Sequence, residues 1–179
     1  MGTKRLSFLN MNNLLKDYEE FLINFDSKLS HYFNIYSCHI CCKKGCSHCC
    51  EKGDYPLSEL ELRYLMQGYA NLDNDIKLIV QENIKTLAKG EACPFLINKS
   101  CAIYKHRPII CRVHGLAYIS KDNIVKTPYC VNNGLNYSEV FNNNEIFIEP
   151  IKENLDTNIV LNGFEFGEIR NLYDWINSR

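Results

Sequence analysis

Ten cysteines carry the chemistry of this chain: Cys38, Cys41, Cys42, Cys46, Cys49, Cys50, Cys93, Cys101, Cys111 and Cys130. Six of them fall within the thirteen residues "CHICCKKGCSHCC". Thiols this dense must bond to each other, bind a metal, or serve as reactive groups. In a C-x-x-C spacing the loop curls so that both sulfurs reach one ion, and nearby backbone N–H groups can donate to them. A metal prefers the thiolate, and binding releases the proton. The adjacent Cys49 and Cys50 would point to opposite sides of an extended backbone, so the doublet is expected to serve two sites, or to supply one ligand and one core contact. A single cysteine is commonly a small buried hydrophobe. Ten in a 20.8 kDa chain, at the spacings of ligand loops, point instead to a metal.

The charges around the cysteines agree with that. No acidic residue lies between Ala92 and Lys121, whereas Lys99, Lys105, Arg107, Arg112 and Lys121 do. The Cys38–Cys50 stretch holds Lys43 and Lys44 and again no acid. Four thiolates on a divalent zinc, or on an oxidised four-iron core, leave a formal charge of about −2, which cations nearby would stabilise. His48, His106 and His114 are minor candidate ligands, because thiolates alone fill the coordination positions.

The bulk of the chain bounds the rest. Its 179 residues, 46% of them hydrophobic, suit one domain whose core does not need disulfides. A net charge of −1 gives no general attraction to nucleic acid or membrane. The N-terminus turns polar and acidic after two basic residues, with no secretory apolar core. A cytoplasmic, reducing location is expected, where clustered cysteines bind metals rather than pair as disulfides.

The elements that must position the cysteines can be read from periodicity and turn signals. Helical spacing of Leu14, Leu15, Tyr18, Phe21, Leu22, Phe25, Leu29 and Tyr32 predicts one or two amphipathic helices between about Leu6 and Phe33. The segment Cys38–Cys50 lacks any period and reads as a loop. Ser58 and Glu61 form a capping box that starts the next helix. A further helix is expected over about Asn74–Lys89, with Ile76, Ile79, Val80, Ile84 and Leu87 on one face and Gly90 as its stop. Asn98, Lys99 and Ser100 read as a turn between two short extended pieces. Pro108 suits the first position of a short helix that passes Cys111 and stops near Gly115. Beyond Leu116, "LAYIS", "NIVKT" and "EIFIEP" read as strands, the Asn-rich run "VNNGLNYSEVFNNNE" as surface loops, and "FGEIRNLYDWINSR" as a terminal helix with Ile169, Leu172, Tyr173 and Ile176 inward. The expected fold is mostly α with a small β component (α+β), an irregular single domain over residues 1–179 organised around a cysteine-ligated metal. Within it, 1–37 is a helical segment, 38–130 the metal-binding core and 131–179 an extension with a terminal helix.

The run "CKKGCSHCC", then "PLSELEL", "ACPFL" and "CAIYKHRPIICR", resembles the YkgJ family of cysteine-cluster proteins, also called the CxxCxxCC or zinc- or iron-chelating domain. The resemblance spans roughly Cys42 to Cys130. It implies that the metal residues are Cys42, Cys46, Cys49, Cys50, Cys93, Cys101 and Cys111, with Cys130 as the later cysteine; Arg107, Pro108 and Arg112 match the family's Arg-Pro-x-x-Cys-Arg element. Eight thiols suffice for two four-thiolate sites, or for one site and spares. Cys38 and Cys41 fall outside the pattern and form a C-x-x-C of their own. A related cysteine pattern occurs in flagellin lysine-N-methylase, a much longer enzyme that this chain does not otherwise match.

Rival readings meet obstacles. Cys42-x-x-x-Cys46-x-x-Cys49 has the spacing of the radical S-adenosylmethionine motif, but helices rather than strand–helix repeats follow it. A thiol oxidoreductase would need a βαβ context, and a nucleic-acid-binding zinc module a basic helix. The metal is expected to be an iron–sulfur cluster, to which an all-cysteine set and the Cys93–Pro94 pair lean, or zinc. The first implies redox or electron transfer with a redox partner, the second a structural module that binds a protein partner. A methyltransferase-associated iron–sulfur enzyme is a further alternative. No nucleophile–base pair or carboxylate pair stands out, so no reaction is assigned.

Overall fold

The computed structural model describes residues 8–42, 46–142 and 150–178. A single long helix, α1 (Phe8–Ile35), opens the chain. Its buried face is Met11, Leu15, Tyr18, Leu22, Phe25 and Leu29, each three or four residues from the last, so they line one stripe. That stripe meets Leu60, Tyr64, Ile109, Val113, Leu116, Ile151, Leu155 and Leu161 in the main core. The aromatic contacts of Tyr18 with Tyr64 and Phe164, both edge-on, add directionality.

After the cysteine loop comes strand β1 (Pro56–Ser58), then helix α2 (Glu59–Ala70) and helix α3 (Asn74–Thr86). The capping box forms as the spacing predicts. Glu61 N–H donates to Ser58 Oγ at 3.2 Å, and Glu61 Oε2 accepts from Ser58 N–H at 2.7 Å. α3 differs from expectation in two respects. It ends at Thr86, before Gly90, because Leu87 turns extended (ψ 131°). Only Val80 on it is buried, and Ile79 stands 43% exposed. A face that packs on one neighbour covers a narrower stripe than its apolar residues offer.

Strands β2 (Leu96–Ile97) and β3 (Ser100–Cys101) pair antiparallel around Asn98 and Lys99. Both turn residues have positive φ, 48° and 59°, the twist a two-residue hairpin needs. Helix α4 (Ile109–Val113) follows, with Pro108 just before its first turn. β4 (Tyr118–Ile119) and β5 (Val125–Lys126) form a second hairpin, and helix α5 (Ser138–Asn142) follows a 3-10 turn at Tyr129–Asn133. The segment "EIFIEP" lies outside the described residues except for Pro150. Helix α6 (Thr157–Val160), strand β6 (Ile169–Asn171) and helix α7 (Leu172–Asn177) complete the fold.

The terminal helix is therefore shorter than its apolar spacing suggests. Before it lies β6, which pairs antiparallel with β1, preceded by the three residues 166–168, which lie outside any element. Ile169 consequently sits 37% exposed on an edge, while Leu172 and Tyr173 are buried. The architecture is mostly α, with three small two-stranded sheets among the described residues. Among the described residues no helix is long and apolar enough to cross a membrane.

Glu61 does more than cap α2. It is fully buried, and its Oε1 accepts the N–H of Ile109 at 2.8 Å. Burial pushes its carboxyl pKa up, while the Ser58 and Ile109 hydrogen bonds and the charge of Arg112 pull it back. One side chain thus joins β1, α2 and the start of α4. Glu61→Ala leaves two buried N–H groups unpaired, and at about 1–3 kcal/mol each the expected loss is roughly 2–5 kcal/mol in a denaturant melt. A loss under about 1 kcal/mol would show that water replaces the carboxylate there.

Candidate metal centre

Five cysteines from three separated segments lie close enough to bias one another's charge. Cys49 and Cys50 come from the turn after the first loop, Cys93 precedes β2 and Cys101 ends β3, and Cys111 sits in α4. The turn is built on Ser47, 5% exposed, whose carbonyl accepts from Cys50 N–H (2.8 Å) and Glu51 N–H (3.0 Å). Its hydroxyl donates to Glu51 Oε1 at 2.6 Å. The Cys93 N–H donates to the Cys50 carbonyl at 2.7 Å, which fastens the first segment to the second. Gly53 permits that approach. A Cβ at residue 53 would stand 2.8 Å from Cys93 Cβ and 3.0 Å from both the Cys50 carbonyl oxygen and the Cys93 nitrogen.

Two further contacts align the loops from behind. Tyr55 donates its hydroxyl to the Cys49 carbonyl at 2.8 Å, and Tyr173 donates its hydroxyl to the Ala92 carbonyl at 2.8 Å. α4 is held by Arg112, which donates to the carbonyls of Arg107 (2.8 Å) and Lys105 (2.6 Å) and pairs with Asp26 of α1. Arg112 thus serves as a clamp on α4 and faces away from the role of thiolate counter-charge that its sequence neighbourhood suggests. Arg107 fills that role: its charge lowers the pKa of Cys49, Cys101 and Cys111. It lies over the Tyr104 ring at 3.6 Å.

The sulfurs are electrostatically joined. Burial is the main cause that pushes the Cys93 thiol up to about 12, and it raises Cys101 and, furthest, Cys111. Cys49 is the exception: the Cys50 thiol beside it holds it below the ordinary thiol value, and Cys50 is pushed up by the same bond. The backbone N–H of Phe95 acts on Cys93, and that of Ile103 on Cys101, each favouring the charged sulfur. A donor two residues beyond the cysteine stabilises a thiolate and is little used by a neutral thiol.

The doublet behaves differently from an extended pair. Cys49 has helical backbone (φ −66°, ψ −33°), so the two side chains do not alternate. Their sulfurs stand 3.9 Å apart. With metal–sulfur bonds of about 2.3 Å, two corners of a tetrahedron lie about 3.8 Å apart. The donor set therefore fits a thiolate-bound metal in chemistry, and for this pair in spacing. Among the described residues no group of three or more Cys, His, Asp or Glu side chains is placed to hold a metal ion.

The remaining predicted site residues form another group. Cys42 interacts with Cys46 and feels Cys130, and Cys130 feels Cys46, Cys49 and Cys41. Cys130 is buried, Cys46 half-buried, and Cys38, Cys41 and Cys42 are exposed. Two histidines have other occupations. His48 sits 3.6 Å from Glu51; His106 lies on the Tyr64 ring at 4.8 Å and so close to Gly68 that a Cβ there would meet it at 2.6 Å. His114 packs edge-on against Tyr55 (5.3 Å), its buried Nε2 without a partner. The residue missed from sequence is Asn136. Its Asn-rich surroundings predict a surface loop, yet it is 1% exposed and donates to the Cys42 sulfur at 3.0 Å.

Residues 36–131 match the CxxCxxCC family, described as "Putative zinc- or iron-chelating domain". The chain belongs to that family, and its cysteine region is a metal-chelating one. The matched segment starts six residues before Cys42 and so takes in Cys38 and Cys41. No curated protein and no solved structure matches the chain.

Gly53→Ala tests the approach of the two loops. The added methyl meets backbone as well as side chain, so overpacking of about 1–3 kcal/mol is expected. The variant should also expose Cys93 to a thiol reagent faster than wild type. Unchanged melting and unchanged thiol reactivity would contradict the contact.

Proposed function

We propose that Cys49, Cys50, Cys93, Cys101 and Cys111 hold an iron–sulfur cluster and that the protein works in electron transfer with a redox partner in the cytoplasm. The observation that supports this is the membership of the chain in a metal-chelating cysteine family, together with five thiols from three chain segments near enough to influence one another's charge. A cluster bound there supplies one-electron chemistry, with a potential tuned by hydrogen bonds to sulfur and by solvent exposure.

The chain's own groups do the rest. The N–H groups of Phe95 and Ile103 stabilise the Cys93 and Cys101 thiolates. Arg107, held over Tyr104 at the protein surface, offsets the negative charge. Ser47, Gly53 and Tyr55 fix the backbone that carries Cys49 and Cys50. Thiols that burial raises this far release their protons only to a strong competitor, which is what a metal centre supplies.

One observation favours a second reading, a zinc module that shapes a partner-binding surface. The 3.9 Å spacing of the Cys49 and Cys50 sulfurs is that of two ligands on one zinc.

Protein purified without oxygen separates the two. A brown protein with a broad visible band, iron and acid-labile sulfide supports the cluster. A colourless protein with stoichiometric zinc supports the module. Folded protein devoid of both metals overturns the metal reading altogether. Cys111→Ser should lose most of the metal and melt several degrees lower, since metal binding and folding are linked, while Cys38→Ser should change neither.

A further inference from the structure

We infer that Cys49 and Cys50 form a reversible dithiol–disulfide couple, oxidised by small disulfides of the glutathione class, and that its closing takes two thiols away from the metal centre. The couple itself stands on geometry. Only its effect on metal loading rests on the reading of the two residues as ligands.

Neighbouring cysteines meet only in a particular backbone. On an extended chain their side chains diverge. Here Cys49 is helical, at φ −66° and ψ −33°, and the two sulfurs stand 3.9 Å apart. A disulfide bond is about 2.0 Å long, so the sulfurs must close by roughly 2 Å, a movement that χ rotation supplies without rerouting the chain. Both residues are half-buried, so solvent and a small oxidant reach them.

The peptide between the two cysteines is clamped at both ends. Its carbonyl, that of Cys49, accepts the Tyr55 hydroxyl at 2.8 Å. Its N–H, that of Cys50, donates to the Ser47 carbonyl at 2.8 Å. The next carbonyl, on Cys50, accepts the Cys93 N–H at 2.7 Å. The Cα atoms of adjacent residues lie about 3.8 Å apart across a trans peptide, while disulfide-bonded cysteines usually stand about 4.4–6.8 Å apart. The ring that closes is therefore tight, and the two hydrogen bonds oppose the twist of the peptide that would relax it. A bond of this kind forms under oxidising conditions and is readily reduced again, the behaviour of a regulatory disulfide rather than a structural one.

In the exchange, one thiol of the pair gives its proton to solvent and attacks oxidised glutathione. The glutathione sulfur–sulfur bond breaks, one reduced glutathione leaves with a proton, and a mixed disulfide remains. The adjacent thiol gives up its proton, attacks the protein sulfur of that mixed disulfide and expels the second glutathione, which takes a proton in turn. Two electrons pass from the doublet to glutathione. A sulfur held in a disulfide has no thiolate to offer, so the oxidised pair no longer binds a metal, and a bound metal in turn occupies the thiolates that would attack.

Full-length protein purified without oxygen is divided, one portion is treated with EDTA, and both are equilibrated with mixtures of reduced and oxidised glutathione. After acid quenching and alkylation, cleavage after Lys44 and Lys52 releases residues 45–52, which hold Cys46, Cys49 and Cys50, and fragment mass spectra place the bond. In the EDTA portion this peptide should carry a Cys49–Cys50 disulfide and an alkylated Cys46. The untreated portion should need a more oxidising mixture, and its metal should leave as the bond forms. Cys46→Ser should keep the bond and its midpoint, and Cys50→Ser should leave Cys49 as a glutathione adduct. Tyr55→Phe frees one end of the clamped peptide and should move the midpoint roughly fivefold toward reducing mixtures, a shift that general loosening of the fold would not give. A doublet in the EDTA portion that stays reduced, ends as two glutathione adducts or bonds to another cysteine overturns this inference and leaves the metal reading standing. A Cys49–Cys50 bond that forms while the metal stays bound overturns it too, because the pair is then not holding the ion. A bond that forms at the same mixture in both portions, with no metal in either from the start, overturns the metal reading and leaves the couple standing.

Discussion

The arrangement depends on where a helix of only five residues is held. α4 is too short to persist by itself, since a single turn fixes several dihedrals for one hydrogen bond. Two buried charged side chains locate it from opposite directions. Glu61 receives its first free N–H, and Arg112 ties its body to Asp26 on α1 and to the chain just before it. Both charges are satisfied by several partners, the condition under which a buried ionic group can be tolerated. Because Cys111 rides on this helix, the Glu61 carboxylate and the Arg112 guanidinium fix the backbone that carries the last of the five thiols.

The surroundings of the sulfurs pull in two directions. Burial and mutual repulsion keep most of them protonated, yet backbone N–H groups and Arg107 are placed as though for negative charge. The two tendencies oppose each other, and a cation that takes the place of the protons would reconcile them. The metal reading itself rests on the family match over residues 36–131.

Much of this could be read from the residues alone, for reasons of range. The Ser58–Glu61 capping box, the Asn98–Lys99 turn and the α1 stripe are local patterns, each written within a few positions, and all three appear as read. The loop reading of the cysteine segment is local too, although short 3-10 turns hold Cys38 and Cys50. The failures are of longer range. β6 looks helical in isolation and becomes a strand because β1 offers it a partner. Arg112 reads as part of a basic patch, but Asp26, 86 positions away, claims it. Asn136 sits in a polar, Asn-rich stretch whose composition describes a loop, while its single buried amide serves a cysteine 94 positions earlier. Composition averages over neighbours and so hides one inward residue among outward ones.

The β1–β6 pairing has a consequence for how the protein is made. Leu172 N–H donates to the Tyr55 carbonyl, Tyr173 N–H to Asp54, and the Tyr173 hydroxyl to Ala92, so the segments carrying Cys49, Cys50 and Cys93 are laced down by residues translated long after them. On the ribosome the early cysteines emerge, and must wait, before the strap that secures them exists. Throughout that interval they are loose thiols, open to stray ions and oxidants. The lacing of the cysteine segments is accordingly complete only once residues 171–173 have been made.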